Sequence, residues 1–382
     1  MDSTVYNYVI IGAGCAGLHL AMAMIDDPFF ADKQVLILEK ESKAINDRTW
    51  CFWEIGAGKW DQLIHHSWSR GKFNGPENQH QLDMAPYRYK MLRSIDFYTY
   101  GKSKIKKAPN FHWVNEQIED IVFEENQHKI IGQQHNFFAA HIFDSRIDPA
   151  FYTSKDSYTR ILQHFKGWLI ETDEDFFDPE EFVIMDYRLK WKNSTSFNYV
   201  LPISKRKALV EFTLFTPELI RDKQYDQILS QYLKAFLGLK NYTIVEVEQG
   251  IIPMSDYPFH KHHLPHLTKI GTAGGWVRPS SGYHFKNAEK YSRQIINNIK
   301  KRKLPAAGIA VNRFRKYDTL LLDILKNHNE LGEELFTSMF EKNPATQIFK
   351  FLDEETTLLE DFKIITSFRS KLFLQAILHQ IR

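Results

Sequence analysis

The stretch YVIIGAGCAGLHLAMAM, residues 8–24, narrows most sharply what this chain can fold into. Residues 9–11 are a β-branched apolar run, the kind of strand that a parallel sheet buries on both faces. Gly12, Gly14 and Gly17 come next at G-x-G-x-x-G spacing, with Cys15 and Ala16 between them. The spacing predicts a tight turn, a close backbone approach to a pyrophosphate, and close packing of the next helix on the strand. An anion belongs at that helix N-terminus, where unpaired N–H groups and the helix dipole favour negative charge. Alone the motif is weak. It is strengthened by KQVLILEK, a second strand that ends in Glu39 about 20 residues beyond Gly17, where an acid accepts ribose hydroxyls. Strand, turn, helix, strand and acid together predict a dinucleotide-binding unit.

The residues beyond Glu39 separate FAD from NAD. A nicotinamide dehydrogenase would continue in short βα units, whereas ESKAINDRTWCFWE begins an aromatic, irregular region. Two later segments supply the missing parts of an FAD fold. NFFAAHIFDSRI is an apolar strand that ends in Asp144-Ser145-Arg146. In LTKIGTAGGWVRPSSGYHF, Ile270 ends a strand; the small residues Gly271, Gly274 and Gly275 allow a second backbone approach to the cofactor, and an amphipathic helix begins after Pro279 and Gly282. The expected fold class is α/β (α+β): a Rossmann-like FAD-binding domain in discontinuous segments (1–70, 101–147 and 265–300), an inserted mixed β-sheet substrate domain (71–100 and 148–264), and a helical C-terminal region (301–382). Within the insert, FNYVLPISKRKALVEFTLF reads as a hairpin turning at residues 204–207, and residues 215–240 and 287–303 have helical periodicity. The C-terminal part reads as helices interrupted at Pro344.

Composition excludes several classes. The 382 residues are 43% hydrophobic and 14% aromatic, enough for a large core in two or three structural units. Lys and Arg number 49 against 47 acids, so no global field argues for nucleic acid. Cys15 and Cys51 are too few for a disulfide framework and read as reduced packing residues. No secretory signal and no bilayer-spanning apolar run is legible, so the expectation is a cytoplasmic protein whose membrane contact, if any, is peripheral. His260, His262, His263 and His266 lack a nearby carboxylate or cysteine and read as a solvated loop, with no metal site.

With these segments in order, the chain resembles the bacterial lycopene β-cyclases, within the FAD-fold flavoproteins. The resemblance rests on the glycine motif with Glu39, on DRTWCFWE, FDSR, QHFKGWLIET, MDYR, LVEFTLF, GTAGGWVRPSSGYHF and NPATQIFKFLDEETTLLEDFKII, and on their order. It departs at Tyr187, where the family often has Trp, and at Phe212, where plant relatives carry a second Glu. The resemblance implies cyclisation of the linear ends of lycopene or another linear carotenoid into β-ionone rings, giving β-carotene. It also implies FAD acting in its reduced form, NAD(P)H as ultimate reductant, and as partners a membrane lipid surface, a reductase and other carotenoid enzymes. A redox flavoenzyme of the same fold, an aromatic monooxygenase or prenyl-chain reductase, is the alternative, and a flavin-binding protein without catalysis a third reading.

Cyclisation requires an acid, a dry apolar slot and something to steady a cation. The expected acid is Glu211. With period two, Leu209, Glu211, Thr213 and Phe215 share a face opposite Val210, Phe212 and Leu214, so the carboxyl has apolar neighbours that raise its pKa. With Phe212 beside it, one acid is expected to suffice. Asp186 is the second catalytic candidate, positioning Glu211 or assisting proton return. Arg48, with Trp50, Phe52 and Trp53, comes after the ribose-binding strand and is expected near the flavin or the slot, core packing being the alternative for the aromatics. The terminal segment FRSKLFLQAILHQIR, residues 368–382, is an amphipathic candidate for docking on anionic lipid or for packing as a last helix.

Overall fold

A computed structural model describes residues 4–124, 127–154 and 158–368. The chain opens with β1 (Val5–Ile11), α1 (Cys15–Ile25) and β2 (Val35–Glu39), then β3 (Thr49–Ile55), β4 (Ile64–Trp68), β5 (Arg70–Asn74), β6 (Gln79–Leu82) and β7 (Tyr87–Arg93). Helix α2 (Ser94–Lys107) leads to β8 (Phe111–Asn115), β9 (Ile118–Glu124), β10 (Gln127–Gly132), β11 (Asn136–Asp144) and the one-turn α3 (Ala150–Thr153). Next come β12 (Arg160–Glu171), β13 (Glu181–Asp186), β14 (Thr195–Pro202), β15 (Lys207–Thr216), α4 (Asp222–Ala235) and β16 (Thr243–Ser255). Strand β17 (Leu267–Lys269) and α5 (Phe285–Lys300) precede α6 (Phe314–Asn327), α7 (Gly332–Lys342), α8 (Ala345–Leu352) and α9 (Leu358–Ser367).

The first sheet runs β8-β2-β1-β11-β10-β9, with β17 pairing on the carboxyl half of β11. The β8, β2, β1, β11 and β17 pairings are parallel, as the apolar β1 requires: Ile10 packs toward α1, α2 and α5, while Val9 and Ile11 pack into the opposite face. A second sheet, β16-β12-β15-β14-β13-β5-β6, is antiparallel except where β13 meets β5. Helix α4 covers one face of it through Tyr225, Ile228, Leu229, Tyr232 and Leu233 against Val210, Phe212 and Leu214. Helices α6 to α9 pack on the other face, around Leu209 and Phe215. A small sheet, β3-β7-β4, sits between the two.

The expected segments are redrawn in two places. Helix α2 crosses the boundary anticipated at residue 101, because its buried face, Phe97, Tyr98 and Ile105, belongs to the core of the first sheet. Residues 215 and 216 finish β15 rather than beginning a helix, since Pro217 comes at once and α4 starts at Asp222. Of the terminal segment 368–382, only Phe368 lies within the described residues, and it is buried.

Candidate active site

The glycine turn sits at the carboxyl end of β1. Gly12 has φ +92°, which suits only glycine, and a Cβ there would lie 2.0 Å from Ser145 Oγ. At Gly17 a Cβ would lie 1.9 Å from the Gly12 carbonyl, so its absence lets α1 rest on the strand. Gly14 faces open space, and no side chain caps the helix there, so the first N–H groups of α1, from Cys15 and Ala16 onward, remain available to an anion. Buried Glu39 reaches back to accept from Ala13 N at 2.6 Å and from Glu41 N at 2.9 Å, which ties the end of β2 to the turn. Gly271 (φ +61°) packs on α1, where a Cβ would lie 3.2 Å from the Ala16 Cβ, and Gly274 lies over the Lys269 carbonyl. These residues form a cradle that fits an FAD pyrophosphate and ribose.

A cleft of about 200 Å³ opens beside this cradle. Arg48, Trp50, Thr272, Gly282 and His284 line one wall; Leu201, Leu209, Ile251 and Ile252 line its apolar side. Gln163 Oε1, Ser281 Oγ and His284 Nδ1 are buried on this wall without a hydrogen-bond partner among the described residues, as expected where a polar ligand belongs. Gly282, at φ +71°, brings the loop so close that a Cβ would lie 2.3 Å from Gln163 Oε1. The loop is tied to the C-terminal helices by Arg278. Its guanidinium donates to Asp318 Oδ1 at 3.1 Å, and both side chains are 1% exposed.

Glu211 lies on the cleft face of β15, as the alternation requires, with Val210, Phe212 and Leu214 turned toward α4. Thr213 Oγ1 donates to its Oε1 at 2.7 Å. Burial pushes its carboxyl well above the ordinary range, and the carboxylate of Glu248 adds to the shift. Glu248, on edge strand β16, is also pushed up by burial, opposed by the hydrogen bond that Thr49 Oγ1 donates to its Oε2 at 2.7 Å. The two side chains lie side by side over Gly167, close enough for each to influence the titration of the other. The expectation of one acid is therefore corrected: a second carboxyl stands beside the first, supplied by another strand rather than by the neighbouring residue in sequence. No sign of it is legible in the sequence: the alternation in TIVEVEQG reads as valines inward and glutamates outward, whereas in the structure Val245 and Val247 are exposed and Glu246 and Glu248 take the inward face, the reverse of an ordinary edge strand.

Other expected site residues lie elsewhere. Asp186 does not approach Glu211: its carboxylate accepts from Arg188, from Asn74 Nδ2 at 2.8 Å and from Tyr232 Oη of α4 at 2.7 Å, on the far side of the sheet. The cause is local. Met185 has φ +55° and the pairing register shifts between Ile184 and Asp186, so the alternation changes phase. Asp144 is buried in ion pairs with Arg146 and Lys269, and its neighbour Ser145 faces the Gly12 turn. Gly275 and Pro279 line a different cavity, with Tyr257 and Arg315. Of the early aromatics Trp50 reaches the cleft, whereas Phe52 stacks on Phe285 and Trp53 on Phe349 in the core. Cys15 is buried and Cys51 lines the cleft, both as free thiols. Among the described residues no cluster suited to a metal ion occurs, and no helix is long and apolar enough to cross a membrane.

The fold is shared with solved flavoproteins. A geranylgeranyl bacteriochlorophyll reductase-like protein from Thermoplasma acidophilum is similar at 14% identity over 98% of this chain and 96% of that one, with a TM-score of 0.57. The flavin-dependent brominase Bmp2 is similar at 16% identity over 99% and 100%, with a TM-score of 0.57. A variant of halogenase PltM in complex with FAD is similar at 12% identity over 91% and 78%, with a TM-score of 0.54. No match is found among curated proteins. The profile of the family described as lycopene cyclase protein matches residues 7–379, nearly the whole chain, and the chain belongs to that family.

Proposed function

We propose that this member of the lycopene cyclase family is a lycopene β-cyclase, converting the linear ends of lycopene or a related linear carotenoid into β-ionone rings without net electron transfer. The observation that carries the reading is Glu211: an acid held protonated by burial, on the wall of an apolar cleft that adjoins the cradle of Gly12, Gly14 and Gly17. The protonated carboxyl gives its proton to the terminal alkene, leaving a tertiary carbocation; the neighbouring double bond attacks it and closes the ring, and loss of a ring proton restores an alkene. Atoms balance, one proton entering and one leaving. Leu201, Leu209 and Ile252 shield the cation from water.

FAD fits the cradle, with the Gly12–Gly17 turn and the N-terminus of α1 toward the pyrophosphate, Glu39 toward the ribose, and Arg48, Gly271 and Thr272 toward the flavin end. Bound in its reduced, anionic form, FAD supplies negative charge that stabilises a cation electrostatically. Arg48 offers the fixed positive charge that an anionic ring would need, and it helps keep buried His284 neutral, with a pKa lowered to about 4 chiefly by burial. A substrate soluble only in lipid implies work at a membrane surface, and the exposed Leu358, Leu359 and Phe362 of α9 offer an apolar patch for it.

Expression in bacteria that accumulate lycopene, followed by pigment analysis, tests the proposal. Cyclisation conserves mass, whereas hydroxylation adds oxygen and reduction adds hydrogen. Cyclic pigment of unchanged mass is expected; either added oxygen or added hydrogen would refute it in favour of a redox reaction.

A further inference from the structure

The meeting of Glu211 and Glu248 depends on a residue between them. In register, Glu211 of β15 pairs with Gly167 of β12, and Gly167 pairs with Glu248 of β16. Adjacent strands lie about 4.8 Å apart, so side chains two strands apart are ordinarily separated by the one between. Here that side chain is missing. A Cβ on Gly167 would lie 3.1 Å from Leu209 Cδ1, 3.2 Å from Glu248 Cγ and 3.4 Å from Glu211 Cβ, so both glutamates, with Leu209 beside them, occupy the space over the glycine. Each carboxyl has one oxygen held by a threonine hydroxyl, Thr213 for Glu211 and Thr49 for Glu248, which leaves the other for a proton shared between them.

Glu248 also stands between two openings. Together with Thr49 and Leu209 it lines both the apolar cleft and a second, smaller cavity, whose wall includes exposed His65 and half-buried Arg93 and Glu246. Glu211 lines the first alone. The other titratable groups facing the pair are neutral acids: the Cys51 thiol of β3 and the phenols of Tyr89, Tyr199 and Tyr283, all pushed up chiefly by burial. The charged groups nearby are Glu246, on the same strand as Glu248, and Arg93 of β7, whose Nη2 holds Glu246 at 3.1 Å. Arg48 and neutral His284 stand on the opposite wall of the cleft.

We propose that Glu248 is a positioning residue that shares one proton with Glu211 across Gly167 and exchanges it with solvent through the second cavity. This rests on the cyclase reading. At rest the pair holds one proton. When the Glu211 O–H bond breaks and a C–H bond forms on the alkene, two carboxylates are left side by side, a state disfavoured by their mutual repulsion. The ring C–H then breaks as the alkene forms, and its proton goes to the pair, restoring one O–H. Between turnovers that proton exchanges with water by way of Glu248, while the apolar cleft stays dry.

The test uses the FAD-loaded protein without substrate, so that it does not depend on ring formation. Infrared difference spectra over pH track the protonated-carboxyl stretch, assigned by its loss in Glu211→Gln. In Glu248→Gln the like charge is gone and an amide can donate to the Glu211 carboxylate, so the Glu211 titration should move to lower pH by about one unit or more. Gly167→Ala, which pushes the carboxyls apart, should shift it in the same direction. The alkaline limb of ring formation should move with it in both variants, a change that mere loss of structural support would not produce. An unmoved Glu211 titration in either folded variant overturns the proposal. Because the infrared shift is read without substrate, an absence of cyclic pigment would refute the cyclase reading while leaving the shared proton tested on its own.

Discussion

Replacing Glu211 by Gln keeps the length and planarity of the side chain but removes its proton. General acid catalysis contributes about 10²–10⁴-fold, equivalent at about 1.4 kcal/mol per decade to roughly 3–5.5 kcal/mol of barrier, so ring formation in the variant should fall by that factor. The structure adds a stability signature. Because burial and Glu248 raise the folded-state pKa of Glu211 above its unfolded value, the native protein binds the proton more tightly than the unfolded chain. The stabilisation this gives is complete below the unfolded pKa and is lost as pH rises through the folded one, at about 1.4 kcal/mol for each unit between them. Gln carries no such slope. The melting temperature of the variant relative to wild type should therefore rise from mildly acidic to alkaline buffer, while FAD fluorescence shows the cofactor retained and pigment chromatography shows ring formation lost. Normal cyclisation would remove Glu211 as the acid. Loss of FAD along with activity would make the carboxyl structural, and a flat melting difference across pH would refute the raised pKa.

Gly17→Val sets a side chain where a Cβ already lies 1.9 Å from the Gly12 carbonyl, so α1 must lift from β1; FAD co-purification should be lost, and retention by equilibrium dialysis at wild-type affinity would misplace the cofactor. Arg278→Met leaves Asp318 buried without its guanidinium, at a cost of about 3–5 kcal/mol in denaturant unfolding, whereas the double variant Arg278→Met with Asp318→Leu should recover much of it. If α9 docks on lipid, Leu359→Asp with Phe362→Asp should abolish flotation with liposomes while leaving secondary structure intact; flotation equal to wild type would exclude that patch.

How much of the fold is legible in the sequence depends on how local each determinant is. The glycine turn needs only the residues of one turn and the strand after it, so Gly12, Gly14, Gly17 and Glu39 come together as their spacing requires. The cleft face of Glu211 comes from the two-residue period of a single strand, and β15 is regular there. Asp186 falls on the far face because the positive φ at Met185 and the register shift beside it reverse the phase of the alternation, and neither is legible in MDYR. Asp144 ends the expected strand, yet its charge is consumed by Arg146 and Lys269, the latter from β17 far along the chain.

Glu248 escapes sequence reasoning for a reason of another kind. No window of sequence contains the acid pair, since it exists only once β12 lies between β15 and β16 in one particular register. A slip of one residue in either pairing would turn one glutamate to the other face of the sheet. The constraint is therefore carried by Gly167, a residue with no chemistry of its own. A glycine within a long strand weakens that strand and marks a place where something approaches closely. In QHFKGWLIET what approaches is Leu209 together with the side chains of Glu211 and Glu248, so the departure from the plant pattern at Phe212 does not imply a site with one acid. Two neighbouring glutamates on one strand would point to opposite faces, whereas two in register across a glycine share one face and can share a proton.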